Sequence, residues 1–133
     1  MNQWSLAKLQ AILTPPEIIH FFYVYIVLGA SGGVVSEVES DKLLSKHTTT
    51  INKYSNNIAK LNLWKITRNI KSKGKILNHV IFLLKEEELT DLISELFEIG
   101  EFLKLSYIKH ETNFDHNQIF KLFKNYQLKT KNN

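Results

Sequence analysis

At 133 residues, with 44% hydrophobic residues and eight Phe, the chain has the length of one domain and enough apolar surface for a core, which excludes a disordered class. The absence of Cys excludes disulfide scaffolds, thiolate zinc sites and cysteine nucleophiles, and fits a cytoplasmic protein. The net charge of +4 is modest but unevenly placed: residues 42 to 80 hold nine Lys or Arg and no acid, and residues 86 to 101 hold seven acids and no base.

The start, Met1-Asn2-Gln3-Trp4, lacks the basic-then-apolar pattern of a secretory signal. Trp4, Leu6, Leu9, Ile12 and Leu13 recur at helical spacing, predicting a short amphipathic helix over residues 3 to 13. Thr14-Pro15-Pro16-Glu17 is a helix start, with Thr14 as N-cap, Pro in the first positions and an acid in the first turn. The helix that follows, Glu17 to about Leu28, is apolar nearly all round. Continued to Val35 it reaches only about the ~18-residue threshold for a membrane span and includes His20, two Tyr and a Gly32-Gly33 break, so it reads as a central core helix.

Val34-Val35 is a candidate edge strand. Ser36-Glu37-Val38-Glu39 has capping-box spacing and starts a helix to about Lys46, with Ser40 as a second candidate cap. A further helix spans Thr48 to Leu61. On its wheel, Ile51, Ser55 and Ile58, with Tyr54 and Leu61 at the edges, form a dry face; Thr49, Asn52, Lys53, Asn56 and Lys60 gather opposite. Trp64 to Ile70 alternates as a half-buried strand, Lys71-Ser72-Lys73-Gly74 supplies a turn, and Lys75 to Leu84 forms a second strand. From Glu86 a long helix carries an apolar stripe of Leu89, Leu92, Ile93, Leu96, Phe97, Leu103 and Tyr107 opposite Glu87, Asp91, Glu95, Glu98 and Glu101. Asn113-Phe114-Asp115 reads as a joint before a last short helix, and residues 129 to 133 as a loose tail.

The fold class expected is mainly α with a small β-hairpin wing (α+β), in one domain of residues 1 to 133. The stretch Leu44…Ile51…Ile58…Asn62-Leu63-Trp64, followed by the basic hairpin, resembles the winged helix-turn-helix proteins over about residues 17 to 110. The flanking helices look most like the dimeric MarR-type and SarA-type regulators; the winged-helix adaptors of plasmid partition and replication are also similar. Three positions depart from the pattern. Asp41 stands where a small apolar residue is usual, Ser45, Lys46 or His47 where a tight-turn Gly is usual, and Lys71-Ser72-Lys73-Gly74-Lys75 in place of the MarR-type Asp-x-Arg wing. The resemblance implies a core over 17 to 84, a helix 49 to 60 in the major groove and a hairpin 68 to 75 against phosphates or in the minor groove. It also implies a homodimer through residues 1 to 13 and 86 to 126.

The chemistry of the residues points the same way. Asn pairs in bidentate fashion with adenine, Thr methyls meet thymine methyls, and Lys reaches guanine or phosphate. The candidate DNA-binding residues are Thr48, Thr49, Thr50, Asn52, Lys53, Asn56, Asn57 and Lys60 on the helix, with Arg68, Lys71, Lys73 and Lys75 on the hairpin. Thr49, Asn52 and Asn56 would suit an A·T-rich duplex. The blander readings are an amphipathic surface helix and a solvated hairpin tip. The acidic run 86 to 101 reads as a solvated face or a docking site for a second protein.

His20, His47, His79, His110 and His116 share no close ligand spacing, and no nucleophile elbow, phosphate-cradling Gly loop or paired carboxylates stand out, so neither an enzyme, a metal nor a cofactor is expected. The expected function is sequence-specific double-stranded DNA binding by a dimeric regulator. The alternatives are a partition or replication adaptor that recruits a second protein, and a module whose basic face meets only an acidic protein.

Overall fold

The structure, a computed structural model, describes residues 4–29, 32–34, 48–72, 75–98, 121–126 and 128. Its elements in chain order are α1 (Leu6–Ile12), α2 (Pro15–Leu28), β1 (Gly33–Val34), α3 (Thr48–Lys60), β2 (Trp64–Ser72), β3 (Lys75–Phe82) and α4 (Glu86–Glu98). The architecture is α+β: mostly helical, with one antiparallel hairpin. The helix expected between Ser36 and Lys46, the wing tip at Lys73-Gly74, the end of the long helix at Leu103 and Tyr107, and the joint at Asn113–Asp115 lie outside the described residues.

α2 forms where the start signal places it. Thr14 Oγ1 accepts from the Glu17 backbone N–H (3.4 Å) while Glu17 Oε1 accepts from the Thr14 backbone N–H (2.9 Å), a reciprocal capping box with Pro at the first two helical positions. α1 starts on Ser5, whose hydroxyl accepts from the Lys8 backbone N–H (3.2 Å). α2 is buried on every side from Pro16 to Tyr25, which explains its nearly unbroken apolar sequence. Among the described residues no helix is long and apolar enough to cross a membrane.

Around α2 the aromatic rings interlock. Phe21 lies 5.5 Å from Trp64 and 5.5 Å from Phe82, and Trp64 lies 5.6 Å from Phe82, all in tilted or edge-on geometry. His20, buried on the same helix, packs against Tyr54 of α3 (5.6 Å) and Trp64 of β2 (5.8 Å). Helix, following helix and hairpin therefore share one core.

The sheet has the order β1-β3-β2, antiparallel throughout, with Gly33 opposite Val80 and Val34 opposite His79. The edge strand expected at Val34-Val35 is present at Gly33–Val34. In the hairpin the pairs Trp64–Phe82, Lys65–Ile81 and Ile66–Val80 run in step; then the register shifts and Arg68, not Thr67, stands opposite His79. Thr67 is the extra residue of a β-bulge. Its hydroxyl lies 2.9 Å from His79 Nδ1 and donates to the His79 carbonyl (3.2 Å), holding the bulge to the central strand. β2 runs further than expected, to Ser72, so Lys71 and Ser72 belong to the ladder rather than to the turn; β3 begins at Lys75 as expected and ends at Phe82, short of the expected Leu84.

The apolar stripe of α4 is consumed inside the chain. Leu89, Leu92, Ile93 and Leu96 are buried in the same cluster as Leu6, Leu9 and Phe123, with α1 packed against α4. Leu89, Leu92, Ile93 and Leu96 are thus covered within the chain, while Phe97, Leu103 and Tyr107 of the expected stripe lie outside the described side chains. Residues 121–126 are helical, and Tyr126 closes this end of the core: its hydroxyl donates to Tyr25 Oη (2.9 Å) and lies 3.1 Å from Thr90 Oγ1. Burial, and after it the Tyr126 hydroxyl, push the Tyr25 hydroxyl above its ordinary range, so it stays a neutral phenol.

Candidate nucleic-acid interface

α3 forms from a sequence with no acid in its first turn and Lys60 in its last, the latter suited to the negative end of the helix dipole. On its inner face Ser55 and Ile58 are fully buried and Tyr54 is half-buried against His20, as the wheel predicts, while the side chain of Ile51 lies outside the described set. The small Ser55 lets the helix lie close to the core. Lys53, Asn56 and Lys60 are exposed, and their i, i+3, i+7 spacing makes them one stripe along the outer face. Thr48, Thr49, Thr50 and Asn52 lie on the first turns of the same helix; their side chains are outside the described set.

Asn57 is placed differently from its neighbours. It is half-buried, and its Nδ2 donates to Glu17 Oε2 at 2.8 Å. Its amide is engaged by the chain's own core. Sequence reasoning saw Glu17 only as a helix-start acid and Asn57 only as a polar residue on a basic helix. Nothing local connects positions forty apart.

The exit from α3 fixes where the hairpin goes. Asn62 takes the left-handed conformation (φ 60°). The Asn62 N–H donates to the Ala59 carbonyl (3.0 Å) and the Leu63 N–H to the Ile58 carbonyl (3.5 Å). This is the Schellman pairing, and Leu63 and Ile58 are both buried in the same core cluster. Asn tolerates the left-handed region better than other non-glycine residues, so Asn62 fills the place of a helix-ending Gly. Two residues on, Trp64 is fully buried and its Nε1–H donates to the Ser55 carbonyl at 2.9 Å. The Leu83 N–H in turn donates to the Leu63 carbonyl (3.0 Å). The outer stripe of α3 and the hairpin are thereby joined through one indole and one turn.

Arg68, Lys71 and Lys75 sit on the strands that lead to and from the tip, with Arg68 opposite His79, Lys71 opposite Ile76 and Lys75 opposite Ser72. Lys73 lies outside the described residues. Trp64→Phe, which keeps an aromatic ring but removes the indole donor and some volume, is expected to destabilise the fold by about 1–3 kcal/mol. Chemical denaturation checks this; a change below ~0.5 kcal/mol would show that the Trp64–Ser55 bond does not hold helix and hairpin together.

Among the described residues no group of three His, Asp or Glu could hold a metal ion. No family model, curated protein or solved structure matches the chain.

Proposed function

We propose that the chain binds double-stranded DNA as a winged helix-turn-helix protein, acting by occupancy of a site, with α3 in the major groove and the hairpin against the backbone. The observation that carries this reading is the exposed stripe of Lys53, Asn56 and Lys60 on a helix without acids, tied through Trp64 to a hairpin that bears Arg68, Lys71 and Lys75. The arrangement of elements supports it: a core helix, a two-residue strand, a basic helix and a hairpin, with the first strand on the far side of the last in the order β1-β3-β2.

The chemistry of the stripe suits a duplex. One ammonium group lies on each side of an exposed amide, so cations can meet phosphates while Asn56 meets a base edge, where bidentate pairing with adenine discriminates by about 1–3 kcal/mol. A homodimer placing two such helices one DNA turn apart belongs to the same proposal. Selection of bound duplexes from a random pool tests it; a pool that yields no enriched duplex would overturn sequence-specific binding.

A second reading is favoured by α4, where Glu87 and Asp91 are exposed on the face opposite the buried stripe. In that reading the protein is a partition or replication adaptor that binds DNA and recruits a second protein through its acidic helix. Charge reversal at Glu87 and Asp91 then abolishes recruitment without changing duplex affinity; a plain regulator shows no such dependence.

A further inference from the structure

Glu17 is 6% exposed and uses both carboxylate oxygens. Oε1 accepts from the Thr14 backbone N–H and the Thr14 hydroxyl, each at 2.9 Å, and Oε2 accepts from Asn57 Nδ2 at 2.8 Å. A buried carboxylate with three donors is held strongly, because each bond to a charged acceptor is about twice as strong as a neutral one. The capping box needs only Oε1. Oε2 is left to reach α3, and it grips that helix beside exposed Asn56 and between Lys53 and Lys60.

The apolar contacts of α3 fix how deep it lies and are not themselves directional, and the Trp64–Ser55 bond holds the helix on the side of the hairpin. A hydrogen bond at the helix edge is directional and resists rotation of the helix about its axis. We infer that Glu17 is a positioning residue for DNA recognition, setting the roll of α3 through Asn57 so that the Lys53–Asn56–Lys60 stripe faces the duplex. The inference rests on the DNA-binding reading. It moves Asn57 from the set that touches bases to the set that orients them.

The pair allows a charge-conserving test. Asn57→Asp sets two carboxylates face to face in a part-buried site. Glu17→Gln combined with Asn57→Asp restores a complementary pair. The new amide at position 17 can keep its oxygen on Thr14 and turn its nitrogen to the new carboxylate at position 57, and the net charge equals that of the natural chain. Binding is measured by fluorescence anisotropy on the best duplex from selection and on a random duplex, and stability by thermal melting. N57D is expected to lose about tenfold or more in affinity for the selected duplex, with a smaller loss on the random one, and to melt several degrees lower. The double variant is expected to recover both the specificity ratio and the melting temperature.

Equal loss on both duplexes, or a double variant that regains stability but not the ratio, would overturn the positioning role. Natural-sequence protein that binds no duplex at all would overturn the DNA reading itself, whereas binding unimpaired in N57D would overturn only the role given to Glu17.

Discussion

Lys53→Glu combined with Asn56→Ala is expected to lower affinity for the selected duplex by at least about 100-fold while the far-ultraviolet circular dichroism stays that of the natural chain. The size follows from two losses. Removing the amide forfeits about 1–3 kcal/mol of base discrimination, and reversing the charge both removes a phosphate partner and places an anion against the backbone. The unchanged fold follows from exposure: both side chains lie on the outer stripe of α3, away from Ser55 and Ile58. Variants that are unfolded would show that these residues support the core. Variants that are folded and still bind at full strength would show that the duplex meets another surface.

The second large effect concerns stability. Gly32→Ala is expected to destabilise the fold by about 3 kcal/mol or more. Gly32 has φ +76°, a region that disfavours a Cβ, and a Cβ there would lie 2.0 Å from the Val80 carbonyl oxygen and 3.0 Å from its carbon. The obstacle is the backbone of the central strand, which cannot swing aside as a long side chain could. Gly29 is the control. Its φ is +81°, but a Cβ there meets nothing within 4 Å, so Gly29→Ala measures conformational strain without collision, about 1–3 kcal/mol. Urea unfolding of the two variants separates the terms. Equal destabilisation would mean that the Val80 carbonyl leaves room for a Cβ at position 32.

These positions show what was legible in the sequence. The start of α2 was, because a helix start is a local rule: Thr14 as N-cap, two Pro and an acid in the first turn suffice, and the structure adds that Glu17 closes a reciprocal capping box. The inner face of α3 was legible from the 3.6-residue period alone, and the hairpin from alternation. Legibility failed where a distant partner decides. Thr67 carries no Gly or Pro to mark a bulge, so strict alternation through Trp64, Ile66 and Arg68 was the natural reading, whereas the ladder resumes one residue later at Arg68. Ser31-Gly32-Gly33 read as a helix break. The reason Gly32 must be Gly is the carbonyl of Val80, far along the chain.

The α4 stripe shows the same limit in another form. Periodicity marked Leu89, Leu92, Ile93 and Leu96 as one apolar face but could not say which surface covers it; α1 and Phe123 do so within the chain. The hydroxyl cluster of Tyr25, Tyr126 and Thr90 joins residues up to 101 positions apart and left no trace in any local pattern. Asn57 belongs with these. Its polarity and neighbours place it with the base-facing residues, and only the position of Glu17 separates it from them.

The central claim is that the basic helix and hairpin together meet a polyanion. Its most direct measurement is the salt dependence of duplex binding. Six to eight phosphate contacts from the two elements of each protomer predict that log K against log salt falls with a slope of about −5 to −7 per protomer bound between ~50 and ~300 mM monovalent salt. A slope near zero at comparable affinity, or no duplex binding at the lowest salt, would contradict the claim.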